Sequence, residues 1–183
     1  SMNEKLAING GEPVRSTAFP PYYPGAMLYD SKEANATSEI TFSHSPFRYY
    51  GPNLIGKVKQ FETELAKKMG VQYAVAVTSG TAAVITALKA AGIGPGDKVI
   101  VPACTFIATA GAVICAGAVP VFAEIDESLS LDPNKLEEVI DKDTKAVIPV
   151  PILGNPCPMD RIMEVANRHH LIVIEDAAQS CGA

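Results

Sequence analysis

A chain of 183 residues, 48% apolar and 19% charged, holds enough apolar material for a core, which excludes intrinsic disorder. Its 15 Lys and Arg against 20 Asp and Glu leave a formal net charge of −5, the wrong sign for a general nucleic-acid binder. No stretch reaches the roughly 18 uninterrupted apolar residues of a membrane helix, and residues 1–15 contain no apolar signal core. A cytoplasmic protein with no membrane or nucleic-acid partner is therefore expected, with Ser1-Met2 as a cloning remnant.

Residues 1–52 differ from the rest. Glycine and proline crowd Gly10-Gly11, "PPYYPGAM" and "FSHSPFRYYGPN", which predicts an extended, loop-rich N-terminal arm. Tyr22, Tyr23, Tyr49 and Tyr50 need cover from the body or a partner subunit, so a packed arm is expected. From residue 53 to 183 the pattern is regular. Val58, Phe61, Leu65 and Met69 recur at spacings of three and four, one face of a helix that ends in Lys67, Lys68 and a left-handed Gly70. "QYAVAVTS" (72–79) reads as a strand and "GTAAVITALKAAG" as an apolar helix. "GIGPGD" follows a helix and carries Pro95 where phosphate-facing N–H groups would be needed, so it is a helix-ending turn. "KVIVPA" is a strand, "FIATAGAVICAGA" a helix and "VPVFAEI" a strand. Asp132-Pro133 caps a helix over "NKLEEVID". "KAVIPV", "MDRIMEVANRHH" and "LIVIED" follow as strand, helix and strand. Alternation with short connections, and strands apolar on both faces, predicts an α/β fold with a parallel sheet.

Cys104, Cys115, Cys157 and Cys181 show no CxxC spacing, and His44, His169 and His170 no ligand spacing, so no metal site is expected. Reduced, buried thiols are the reading for the cysteines.

Ligands of open α/β sheets bind beyond the carboxyl ends of strands, and three such ends carry chemistry. At Thr78-Ser79-Gly80-Thr81, helix-start N–H groups and hydroxyls converge, which suits a phosphate. An ordinary helix cap fits the same residues. At Thr105-Phe106, after "KVIVPA", the aromatic could cover a flat ligand or belong to the core. Glu175-Asp176 ends the buried run Leu171 to Ile174, and Gln179 follows. A carboxylate there is solvated, caps a helix or holds a heteroaromatic nitrogen protonated. Anion cradle, aromatic lid and carboxylate together match pyridoxal 5'-phosphate (PLP), a flat phosphorylated pyridine. Arg15, Arg48, Arg161 and Arg168 are expected to make surface pairs.

"VTSGTAAVITALKAAGIGPGDKVIVPACTFIATAGAVICAGAVPVFAEID", "DTKAVIPV", "MDRI" and "IEDAAQSCGA" occur in an order and spacing that closely resemble the DegT/DnrJ/EryC1/StrS family of PLP-dependent sugar aminotransferases, from about residue 51 to 183. "LAINGGEPVR" more weakly resembles members that aminate cyclitol ketones or make aminobenzoate precursors. The resemblance implies a three-layer, fold type I aminotransferase large domain with a mainly parallel sheet, a smaller C-terminal domain and a homodimer with interfacial active sites. It implies that Gly80 and Thr81 hold the phosphate, Phe106 stacks on the pyridine, Asp176 pairs with its nitrogen and Gln179 sits near its hydroxyl and face. The implied reaction moves an amino group from an amino acid, glutamate in most of the family, to a keto sugar, nucleotide-linked or cyclitol.

Pro151 and Cys181 stand where the family usually or often has His, which touches the substrate pocket. The family's Schiff-base lysine lies beyond the EDAAQ segment and would fall after Ala183; Lys89, Lys142 and Lys145 do not match its position. The chain thus reads as the front portion of such an enzyme, with a catalytic lysine expected beyond it and no activity expected of it alone. A PLP-dependent sugar dehydratase, with His in place of that lysine, and a non-catalytic PLP- or phosphate-binding module are the alternative readings.

Overall fold

The computed structural model describes residues 5–19 and 24–182, and the chain divides into two units, 1–59 and 60–183. In the first, short 3-10 turns at Ala7–Asn9 and Pro24–Leu28 precede a helix, α1, at Ser31–Phe42. This helix corrects the expectation of purely extended chain over 1–52. Its cause is a reciprocal cap: Asp30 Oδ1 accepts from the Lys32 N–H at 2.7 Å, and Glu33 Oε2 accepts from the Asp30 N–H at 2.8 Å. Farther on, the Phe47 and Tyr50 rings stack at 4.4 Å, while Tyr49 and Tyr50 stay exposed. Tyr22 and Tyr23 lie outside the described residues.

Helix α2 (Lys57–Met69) forms where the apolar spacing placed it and ends at Gly70, whose φ of +66° lets the Val71 N–H reach back to the Ala66 carbonyl at 3.0 Å. Its expected apolar face finds little cover among the described residues, since Phe61 and Met69 are about half exposed and only Ala66 is buried. The next segment runs extended, but the strand expected at 72–79 is absent. Tyr73 and Val75 are exposed, and no neighbouring edge among the described residues offers the ladder of hydrogen bonds that alternation alone cannot supply.

The remaining elements are α3 (Gly80–Ala90), β1 (Lys98–Pro102), α4 (Ile107–Cys115), β2 (Val119–Ala123), β3 (Thr144–Val147), α5 (Met159–Arg168) and β4 (Ile172–Val173). The four strands form one sheet in the order β2-β1-β3-β4, every pair parallel. The helix expected over "NKLEEVID" is reduced to a single 3-10 turn at Leu136–Val139. The Asp132 and Asp141 carboxylates each accept from the N–H two residues on, tightening both flanks into turns.

Pleating divides the core in two. Val99 and Val101 of β1 face Val84 and Leu88 of α3 and Val113 of α4, whereas Ile100 and Val147 face Ile162 and Val165 of α5. Each fully buried side chain of this size contributes roughly 1.5–3 kcal/mol, so both faces of the sheet must be covered. The result is a three-layer α/β arrangement. Among the described residues no helix is long and apolar enough to cross a membrane.

The cysteines depart from expectation: only Cys157 is buried, while Cys115, the last residue of α4, and Cys181 are exposed. Burial pushes the Cys157 thiol above its ordinary pKa.

Candidate functional site

The start of α3 and the ends of β1 and β4 meet at one cavity of about 210 Å³, somewhat below the ~300 Å³ at which typical small-molecule pockets begin. All five residues singled out in the sequence, Gly80, Thr81, Phe106, Asp176 and Gln179, line it. No lysine is among the lining residues. Lys89 instead donates from α3 to the Ala116 carbonyl at 2.7 Å.

Gly80 and Thr81 open α3. Ser79, in extended backbone, is the ordinary cap, its Oγ accepting from the Ala82 N–H at 3.1 Å. The cap and the anion cradle are therefore neighbouring residues rather than competing readings. A Cβ built on Gly80 would meet no atom within 4 Å, so nothing in the fold's own packing demands glycine there. Its missing side chain leaves the helix start open, where unpaired N–H groups and the positive end of the helix dipole attract an anion.

Phe106 is the N-cap residue of α4 and is 69% exposed, so it is not a core phenylalanine. It enters the cavity wall because β1 ends at Pro102 and the chain turns into α4 directly afterwards. The third wall continues β4. Beyond the formal strand, the Ile174 N–H reaches the Val147 carbonyl at 3.1 Å and the Asp176 N–H reaches the Pro149 carbonyl at 3.0 Å. Sheet pairing thus carries Asp176 to the cavity. Glu175, exposed, does not line it.

The side chain of Asp176 has partners the sequence reading missed. Its Oδ2 accepts from Thr109 Oγ1 at 2.8 Å, and Thr105 Oγ1 lies 2.8 Å from Thr109 Oγ1. Oδ1 receives the Ala178 N–H at 3.3 Å. The only signal for Thr109 was a hydroxyl one helical turn after Thr105 in an otherwise apolar helix. Gln179 Oε1 accepts from the Leu153 N–H at 2.7 Å, which fixes its amide against the turn Ile152–Gly154, where Leu153 adopts a φ of +53°. Pro151 is buried just before that turn, and Cys181 is exposed.

The donor set fits a flat, phosphorylated, basic ring: helix N–H groups at one end, an aromatic plate, and a carboxylate deeper in. No arginine is among the residues that line the cavity. Arg15 and Arg48 sit over the Phe19 and Tyr49 rings at 4.6 and 5.0 Å, Arg161 hydrogen-bonds Asn134, and Arg168 pairs with Glu137 at 2.7 Å.

Comparison with known proteins places the chain in a family. The family model described as "DegT/DnrJ/EryC1/StrS aminotransferase family" matches residues 33–183. The spore coat polysaccharide biosynthesis protein SpsC of Bacillus subtilis (strain 168) is 54% identical over 125 residues, 68% of this chain and 32% of that protein. The L-glutamine:2-deoxy-scyllo-inosose aminotransferase of Streptomyces paromomycinus is 35% identical over 100% of this chain and 42% of its own length. Among solved structures, NtdA of Bacillus subtilis with bound cofactor PMP superposes with a TM-score of 0.77 at 35% identity, covering 93% of this chain and 39% of that one. The fold is that of type I PLP aminotransferases. The chain spans about a third to two fifths of the length of these relatives.

Proposed function

We propose, from the premise that the chain belongs to the DegT/DnrJ/EryC1/StrS aminotransferase family, that the protein it comes from is a PLP-dependent aminotransferase. It would move an amino group from an amino acid, glutamate being the first candidate, to a keto sugar, nucleotide-linked or cyclitol. Residues 53–183 would be part of the cofactor-binding large domain, residues 1–52 its N-terminal arm, and the assembly a cytoplasmic homodimer.

The observation that carries this reading is the convergence of Gly80, Thr81, Phe106, Asp176 and Gln179 on one cavity from the start of α3 and the ends of β1 and β4. When bound, PLP supplies a protonated pyridine that withdraws electrons from the carbon at which the amino group is exchanged. The α3 start, with the Thr81 hydroxyl, would hold the phosphate. The exposed Phe106 ring would cover one face of the pyridine and exclude water from it. Asp176, held by hydrogen bonds to both carboxylate oxygens, would keep a proton on the ring nitrogen by charge attraction. Gln179, its oxygen engaged by the Leu153 N–H, would have its amide N–H groups left to donate to the ring's hydroxyl.

Replacing Asp176 by Ala in the full-length protein tests the reading. PLP should bind at least tenfold more weakly, the scale of a lost charge-assisted hydrogen bond, and amino transfer should collapse. Normal rates in that variant would refute the assignment.

A further inference from the structure

Thr109 is fully buried in α4, an otherwise apolar helix whose Ala110, Ala112 and Val113 belong to the same core as Val101. A buried hydroxyl costs free energy unless it is hydrogen-bonded, and a threonine inside a helix ordinarily turns back to a carbonyl one turn earlier. Thr109 does not. Its Oγ1 donates instead across 67 residues of sequence to Asp176 Oδ2 at 2.8 Å. A carboxylate only accepts, so the single Thr109 proton is committed to Asp176. The hydroxyl of Thr105, 2.8 Å from Thr109 Oγ1, must then donate to Thr109. The result is a directed chain, Thr105 to Thr109 to Asp176, running from the β1–α4 corner to the cavity acid.

The other contacts of Asp176 cannot replace it. The Ala178 N–H is a long 3.3 Å from Oδ1, and the Asp176 N–H to Pro149 holds only the main chain. Without Thr109, only the long Ala178 N–H contact restrains the carboxylate about its last torsion. The hydroxyl also serves no evident purpose in the core itself: a valine of the same shape would suit that apolar setting better.

We infer that Thr109 is a positioning residue: it sets the plane of the Asp176 carboxylate so that one oxygen is presented to the nitrogen of a pyridinium ligand, with Thr105 orienting the Thr109 hydroxyl in turn. This rests on the cofactor reading above, and the test separates the two. Thr109→Val, Thr109→Ser and Thr105→Val are made in the full-length protein. PLP affinity is measured by equilibrium dialysis, and the absorption band of the bound coenzyme is followed against pH.

Thr109→Val should weaken PLP binding about tenfold and displace the absorption-versus-pH curve, because the partner of the ring nitrogen has lost its orientation. Thr109→Ser, which keeps the hydroxyl, should restore both. Thr105→Val should weaken binding about twofold to fivefold, since Thr109 keeps its proton but loses the group that aims it. A merely structural threonine would lower the melting temperature and leave the pH curve in place. If the wild-type protein holds PLP while Thr109→Val shows unchanged affinity and an unmoved curve, the positioning role is overturned and the cofactor reading stands. If the wild-type protein takes up no PLP, both are overturned. Should Thr109→Val not fold, Thr105→Val decides: wild-type affinity and pH curve there would overturn the relay.

Discussion

Gly80 separates the demands of folding from those of ligand binding, and a single methyl group measures both. It is the first residue of α3, and a Cβ added there meets nothing within 4 Å. Its φ is outside the left-handed region, so alanine can take the same backbone. Gly→Ala at a compatible position stabilises by about 0.4–1 kcal/mol, chiefly by narrowing the unfolded ensemble. For a chain of this size each kcal/mol moves Tm by about 2–4 °C, which predicts a rise of about 1–4 °C for the apo protein. The effect on the cofactor should have the opposite sign. A phosphate oxygen hydrogen-bonded to a helix-start N–H sits ~2.8 Å from the nitrogen. A methyl projecting ~1.5 Å from the adjacent Cα crowds that oxygen, and losing one charge-assisted hydrogen bond costs about 1.5–3 kcal/mol, or roughly 10–150-fold in Kd. Gly80→Ala should therefore melt higher without PLP and bind PLP at least tenfold more weakly. Pyridoxal, lacking the phosphate, should bind both proteins alike, which locates the effect at the phosphate end. Equal PLP affinity for Gly80→Ala and wild type would show that the phosphate does not lie against this backbone. A fall in apo Tm would refute the reading of Gly80 as an unstrained helix start.

Three further outcomes follow from the packing. Leu88→Ala deletes a side chain with no solvent exposure from the core between α3, α4 and the sheet, and should cost about 2–5 kcal/mol in urea unfolding. At the opposite end of the sheet from the cavity, the hydrogen bond and charge of Lys98 hold Asp141 below the ordinary carboxylate pKa. A depressed folded-state pKa adds stability that is present above the unfolded value and lost as pH falls through the folded one. The stability gap between wild type and Asp141→Asn should thus be full near neutral pH and close below about pH 4; a gap that widens in acid would contradict it. With a thiol-specific chromogenic reagent, exposed Cys115 and Cys181 should react at least tenfold faster than buried Cys157, whose thiol burial holds protonated; guanidinium should abolish the difference.

What the sequence made legible follows from how local each cause is. β1 and β3 were readable because strands covered on both faces need unbroken apolar runs, and α3, α4 and α5 because each must present an apolar face to that sheet. Elements whose stability comes from elsewhere were not. α1 buries no residue, and only the Asp30–Glu33 spacing announced it within a stretch otherwise marked by proline and glycine. Segment 72–79 has strand composition, yet a strand is a relation between two segments, and no partner edge is present among the described residues.

The cavity shows the same division. Gly80, Phe106 and Asp176 could be picked out because each breaks a local pattern: a glycine opening a helix, an aromatic before one, a carboxylate closing an apolar run. Thr109 breaks almost none, since one threonine in an apolar helix is unremarkable by itself. Its meaning lies in a hydrogen bond to a residue 67 positions away, fixed by the parallel register that sets β4 beside β3 and β3 beside β1. Sequence spacing can nominate groups that touch a ligand directly. Groups that aim those groups become visible only once the sheet has brought distant strand ends together, and here that aiming group is a buried hydroxyl with no other evident use.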